Sequence, residues 1–169
     1  TADFDAHPPQ ALLEATRTHV ANRMSHYREQ LDALARIPSV SWPSFDQSEV
    51  ERSAEFVAEA ARATGVFDSV NVYREKTAAG DLGQRSPEPK NGAPCVLLYA
   101  HHDVQPPGDS SAWKTDPFTP TEVGDRLFGR GVADDKAGVI SHLAAIDTVF
   151  GLIGNTDLGL VLFIEGEEE

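Results

Sequence analysis

The stretch that most constrains this chain is Cys95-Val96-Leu97-Leu98-Tyr99-Ala100-His101-His102-Asp103, in which six apolar or small residues run straight into two histidines and an aspartate. Pro94 precedes it and Val104-Gln105-Pro106-Pro107-Gly108 closes it. A short apolar run bounded by such breakers reads as a buried strand of an α/β sheet. A parallel strand covered on both faces needs no polar alternation. Ligands in such sheets bind beyond the carboxyl ends of the strands. His101 and Asp103 therefore stand where a site is expected.

Composition narrows the class. The 169 residues are 40% hydrophobic and 24% charged, ordinary for one soluble globular core. A formal charge of −13 and an isoelectric point near 4.7 argue against nucleic-acid or anionic-membrane partners. The single cysteine, Cys95, falls inside the apolar run, which predicts a buried packing thiol rather than a nucleophile or bridge. No stretch approaches the ~18 consecutive apolar residues of a membrane span, and no basic-then-apolar leader opens the chain. A reducing cytoplasm is the expected compartment.

In chain order, Thr1 to Pro9 reads as a loose leader. A long helix follows, with Val20, Met24, Tyr27, Leu31 and Leu34 on one face, and it stops before Pro38. His19 and His26 lie beside that stripe and receive no role. Asp46-x-x-Glu49 resembles a capping box opening a second helix that carries Val50, Phe56, Val57 and Ala60, with Gly65 as its C-terminal stop. Val70 and Val72 suggest a strand, and Glu75 to Gly92 reads as an exposed, mobile loop rich in Gly and Pro.

Beyond the central strand, Gly129-Arg130-Gly131 allows close backbone approach before Asp134-Asp135-Lys136. The aspartates open a helix whose stripe is Val139, Leu143, Ile146 and Phe150. Taken alone, one of them reads as a helix cap, favoured by free amides and the helix dipole. Asp157 to Ile164 is a second apolar strand, and it runs into Glu165-Gly166-Glu167-Glu168-Glu169. Taken alone, that is a solvated acidic end.

The combination changes the balance. Two apolar strands each end in metal-type or acid/base side chains, and the helix between them begins with paired carboxylates. One imidazole with several carboxylates suits Zn²⁺, Mn²⁺ or Co²⁺. A neighbouring carboxylate can then take a proton from water whose pKa the metal lowers to ~7. Residue chemistry alone thus points to metal-assisted hydrolysis.

At these motifs the sequence resembles the co-catalytic zinc metallopeptidase family of carnosinase, glutamate carboxypeptidase, acetylornithine deacetylase, succinyl-diaminopimelate desuccinylase and aminoacylase-1. The matching pieces are Tyr99-Ala100-His101-His102-Asp103-Val104-Gln105-Pro106, Gly129-Arg130-Gly131-x-x-Asp134-Asp135-Lys136 and Glu165-Gly166-x-Glu168-Glu169. Trp113…Asp116-Pro117-Phe118 and Ile37-Pro38-Ser39-Val40-Ser41 match as well, so the resemblance covers nearly the whole chain. Asp134 stands 33 residues after His101, and Glu168 stands 34 after Asp134, as in the dipeptidase (carnosinase-like) branch.

The resemblance implies an α/β three-layer sandwich, a mostly parallel or mixed sheet flanked by helices. It implies two divalent ions, zinc before manganese or cobalt, with His101 on one, Asp134 bridging both and Glu169 on the second. Glu168 is then the general base and acid, and Asp103 orients His101 through its other ring nitrogen. His102 is a neighbour, while Asp135 and Lys136 support the loop and Glu165 supports the acidic strand end. A cis peptide between Asp134 and Asp135 is also implied.

The expected reaction is cleavage of an amide bond in a dipeptide or N-acyl amino acid. Two further ligands of the family, an aspartate after Glu169 and a distant histidine, are not in this sequence. Residues 1–169 are therefore expected to be the N-terminal part of a catalytic domain, lacking its remainder and an inserted dimerisation domain, and to be inactive alone. The parent is expected to be a homodimer. A non-catalytic metal-binding module is the alternative. A Mg²⁺-dependent phosphoryl-transfer protein is disfavoured, because no phosphate-cradling Gly-x-x-x-x-Gly-Lys-Ser/Thr is present.

Overall fold

The computed structural model describes residues 8–75, 78–85, 89–154 and 156–169. Among these residues three α-helices, α1 (Gln10–Ala35), α2 (Gln47–Ala63) and α3 (Lys136–Ile153), accompany six strands. The strands are β1 (Ser69–Glu75), β2 (Ala78–Arg85), β3 (Cys95–His101), β4 (Thr121–Val123), β5 (Arg126–Phe128) and β6 (Gly159–Glu165). The main sheet runs β1-β2-β6-β3, and β4 and β5 form a separate antiparallel pair. β3 and β6 are parallel, whereas β1, β2 and β6 pair antiparallel, so the sheet is mixed.

One core joins the sheet to the helices. Ala100 of β3 and Leu160, Leu162 and Ile164 of β6 bury themselves against Val57, Ala58 and Ala61 of α2 and Val139, Leu143 and Ile146 of α3. α1 stacks on α3 rather than on the sheet. Tyr27 and Leu34 of its expected stripe are buried, but Met24 is 54% exposed because nothing among the described residues lies over that part of the helix. α3, whose 18 residues have a mean hydropathy of 1.4, is long and apolar enough to cross a membrane by those measures, yet here it serves as a core helix.

α2 starts as expected at Asp46, whose Oδ1 accepts from the Ser48 amide at 3.0 Å. Glu49 does not close the capping box; it pairs with Arg52 at 3.1 Å. Gly65, at φ +67°, ends the helix by donating to the Arg62 carbonyl.

Three expectations need correction. The segment from Glu75 to Gly92 is not all loop, since residues 78–85 form β2; residues 76–77 and 86–88 lie outside the described residues. β2 carries neither alternation nor an apolar run, and its place between β1 and β6 is a tertiary choice. β3 is not buried on both faces. Among the described residues it pairs only with β6, and Leu97 and Tyr99 are 63% and 45% exposed. Cys95 is exposed for the same reason, so it is no packing thiol. The inner apolar strand is β6. Of the three expected layers the described residues form the sheet and its helices on one face, while Leu97, Tyr99 and Phe163 mark the other. Of the expected leader, residues 1–7 lie outside the described residues.

Candidate metal centre

Parallel pairing brings the two apolar strands to a common end. His101 is the register partner of Glu165, and the His102 amide extends the ladder by donating to the Glu165 carbonyl at 2.9 Å. The polar residues that follow both strands therefore leave the sheet at one edge. α3 begins at the same edge, because Asp135 Oδ2 accepts from the His101 amide at 3.3 Å.

Three side chains separated widely in sequence converge there. Ligand atoms of His101, Asp134 and Glu169 all lie within 4.8 Å of one another. His101 Nε2 stands 3.4 Å from Asp134 Oδ1 and 3.8 Å from Glu168 Oε2. The His101 side chain is only 7% exposed whereas that of Asp134 is 80% exposed, so the cluster has a protein wall and a solvent-facing mouth. Glu168 is half-exposed at that mouth.

Asp103 backs the histidine. His101 Nδ1 lies 3.2 Å from Asp103 Oδ1 and also faces the Asp103 carbonyl, which leaves Nε2 toward the carboxylates. The hydrogen bond to Asp103, strengthened by the charges of Asp103, Asp135 and Glu168, pushes the imidazole up to about 9 against its burial. Burial opposes ionisation of Asp103, but hydrogen bonds from His101 and the Glu169 amide hold its carboxyl below the usual range.

The aspartate pair does not cap α3 through its side chains, which corrects the simpler reading of this motif. Asp135 turns its carboxylate to the His101 amide instead, and Asp134 faces the His101 ring. The peptide bond between them is cis, as the resemblance implies. Gly131, at φ +81°, lets the loop pass close to Val104 and Lys136; a Cβ there would come within 2.8 Å of Val104.

Lys136 is completely buried and donates from Nζ to the carbonyls of Leu34 and Ile37 at 3.1 and 2.6 Å. It thus joins the first turn of α3 to the end of α1. Burial pushes its ammonium down to about 7, against the attraction of Asp103 and Glu49. Arg130 stacks on Trp113 at 5.5 Å and donates to the Pro106 carbonyl, tying the glycine-flanked loop to the segment after β3. Glu165 accepts from the Tyr99 hydroxyl at 2.7 Å.

Two further contacts had no role assigned from sequence. Gln105 donates through Nε2 to Glu169 Oε2, and the Ser41 hydroxyl donates to the Glu169 carbonyl at 3.2 Å. Both residues sat in matching motifs, which was the available signal. His102 is fully buried, and its amide donates to the Glu165 carbonyl.

The donor set fits a borderline divalent cation. Two ligands ~2.05 Å from a tetrahedral ion stand about 3.4 Å apart, the separation found between His101 and Asp134. An imidazole with its far nitrogen on a carboxylate is the usual arrangement of a metal-bound histidine.

Comparison with known proteins agrees with this chemistry. Residues 97–169 match the family described as Peptidase family M20/M25/M40. The chain is 46% identical over 82 residues to the cysteinylglycine-S-conjugate dipeptidase of Corynebacterium striatum, covering 48% of this chain and 18% of that protein. It is 32% identical over 132 residues to the beta-Ala-His dipeptidase of Rattus norvegicus, covering 73% of this chain and 26% of that protein. Its fold overlays the crystal structure of human carnosine dipeptidase 1 with a TM-score of 0.78 at 24% identity, over 91% of this chain and 34% of that one. The chain thus spans about a third or less of the length of these relatives. The stretch that carries the candidate ligands, residues 97–169, thus matches peptidase family M20/M25/M40.

Proposed function

We propose that this chain is the N-terminal part of a metal-dependent hydrolase that cleaves the amide bond of a dipeptide or N-acyl amino acid. The convergence of His101, Asp134 and Glu169 with Glu168 beside them carries this reading. His101 and Asp134 would hold one divalent ion, and Asp134 and Glu169 a second, with zinc the first choice. Bound divalent ions supply Lewis acidity, polarising a carbonyl and lowering the pKa of water to ~7.

The protein's own groups do the rest. Glu168 takes a proton from the attacking water as its oxygen bonds to the carbonyl carbon, then delivers it to the departing amine as the C–N bond breaks. Asp103 keeps Nδ1 of His101 engaged, so that Nε2 remains the ligand. Gln105 and Ser41 hold Glu169 in place. The 169 residues alone leave each of two ions with only two protein ligands, against the usual three of a catalytic zinc site, and so do not turn over substrate. A homodimeric full-length enzyme belongs to the same proposal. So does a cytoplasmic setting.

The test compares metal content and dipeptide turnover of the full-length protein, its Glu168→Gln variant and the 169-residue chain. Full-length enzyme is expected to hold two ions and be active. Glu168→Gln is expected to keep its metal and lose turnover by at least about 100-fold, and the short chain to be inactive. Undiminished turnover by Glu168→Gln, or stoichiometric metal with parent-like turnover by the short chain, would overturn the assignment.

A further inference from the structure

We propose that Ser39 is a positioning residue of the metal centre, acting through Asp103 on His101. The inference rests on the metal-binding reading above. Ser39 touches none of the candidate ligands. It lies in the segment between α1 and α2, is fully buried, and grips the loop after β3 at two points. Its hydroxyl donates to the His102 carbonyl at 2.7 Å, and its carbonyl accepts from the Val104 amide at 3.0 Å.

Those two points flank Asp103. Residues 102, 103 and 104 are all fully buried, so the loop exchanges no backbone hydrogen bonds with solvent. The His102 amide is used by β6, but its carbonyl points away from the ladder and is received by hydroxyls from two other elements, Ser39 and, at 3.4 Å, Ser53 of α2. The clamp is itself rigid. Ile37 and Val40 on either side are buried, and the Ser39 and Val40 amides donate back to the carbonyls of Ile37 and Pro38 at 2.9 and 2.8 Å.

The consequence is specific to the site. Asp103 reaches His101 Nδ1 with one oxygen and the Glu169 amide with the other. Fixing the backbone on both sides of Asp103 therefore fixes the carboxylate that orients one ligand and seats another. Ligand geometry must be held within about 0.5 Å to be productive, and a buried side chain pinned by its neighbours on both sides meets that need. Ser53, with the longer bond, is the lesser partner.

A buried serine that merely satisfied a carbonyl would affect stability and nothing else, so the test reads metal binding and folding separately. Co²⁺ is titrated into the full-length protein and its variants, following dissociation constant and visible absorption, with melting temperature measured alongside. Ser39→Ala is expected to stay folded, weaken Co²⁺ binding about 10-fold, as loss of an outer partner of a ligand does, and alter the absorption bands. Ser39→Thr, which keeps the hydroxyl, restores affinity. Ser53→Ala shows a smaller loss, and supplies the measurement if Ser39→Ala does not fold.

A folded Ser39→Ala with affinity within about twofold of the parent and unchanged bands, or an unchanged Ser53→Ala where Ser39→Ala is unfolded, would overturn the inference while leaving the metal site standing. Absence of Co²⁺ binding by the parent, or binding indifferent to His101→Ala, would overturn the metal reading and this inference with it.

Discussion

The backbone amide of Glu169 donates to Oδ2 of Asp103 over 3.0 Å, so the carboxylate facing the His101 ring also anchors the chain beyond β6. One buried side chain thereby couples the ends of two parallel strands. Neither strand end is an independent ligand platform.

Asp103→Ala should weaken divalent-metal binding by about 10- to 100-fold, the usual cost of losing a ligand's hydrogen-bonded partner. Asp103→Asn should lose less, because an amide oxygen can still accept from Nδ1 of His101. Isothermal titration with Zn²⁺ separates the two. Equal affinities for both variants and the parent would show that Asp103 does not orient the ring.

Much of this site was legible in the sequence, and the reasons differ by residue. Residue types at the strand ends and the start of α3 pointed to a cluster of metal-type or acid/base groups, and the family resemblance singled out His101, Asp134 and Glu169, whose ligand atoms the fold brings together. β2 was missed because its residues carry no local strand signal; β1 and β6 impose its conformation. The exposure of β3 was missed because strand hydrophobicity reports a surface that can be covered, not whether neighbouring elements here cover it. The role of the Ile37–Ser41 segment escaped for another reason. Small hydroxyls in a loop have no periodicity, and only the fold shows which carbonyl each one meets.

Lys136 makes a pH-dependent contribution whose sign can be worked out. Its folded pKa is pushed down to about 7, whereas the unfolded lysine titrates near 10.5. Between those values the unfolded chain binds more protons, so the lysine's contribution to stability rises with pH across that window and is flat outside it. Lys136→Met lacks this term and also leaves the Leu34 and Ile37 carbonyls without their buried donor. The parent's advantage over the variant should therefore grow from pH 7 to pH 10. Urea denaturation at both values checks this, and an advantage that shrank with pH would contradict the burial of a charged ammonium.

Asp147 ties α1 to α3. Its Oδ2 accepts from the Tyr27 hydroxyl at 2.6 Å and faces Arg23 Nε at 2.6 Å and His19 Nε2 at 3.2 Å. Partial burial opposes ionisation, but hydrogen bonds from Tyr27 and His19 and the Arg23 charge hold the carboxyl below its ordinary range. A depressed carboxylate stabilises the fold above the unfolded pKa, and the contribution is lost as pH falls through the folded value. Asp147→Asn should cost about 1 kcal/mol at pH 7 and progressively less as the pH falls below the ordinary carboxylate range, with the partly exposed setting keeping the figure small. A cost that did not change with pH would mean that shape rather than charge matters at this position.

Gly138 sets two effects against each other in the first turn of α3. Replacing a helical glycine by alanine gains about 1 kcal/mol from propensity alone, so Gly138→Ala looks stabilising from sequence. In the fold, however, a Cβ at this position would overlap the carboxylate of Asp135, whose oxygens and carboxyl carbon are its three nearest neighbours. That carboxylate holds the His101 amide. The added methyl must expel it, leaving a buried amide without its partner at a cost of about 1–3 kcal/mol and releasing the end of β3. Gly138→Ala is therefore expected to be destabilising despite its propensity, with faster hydrogen exchange at the His101 amide and weaker binding of Zn²⁺. A variant more stable than the parent, with the His101 amide equally protected, would show that Asp135 has another resting place and that this contact does not fix the strand end.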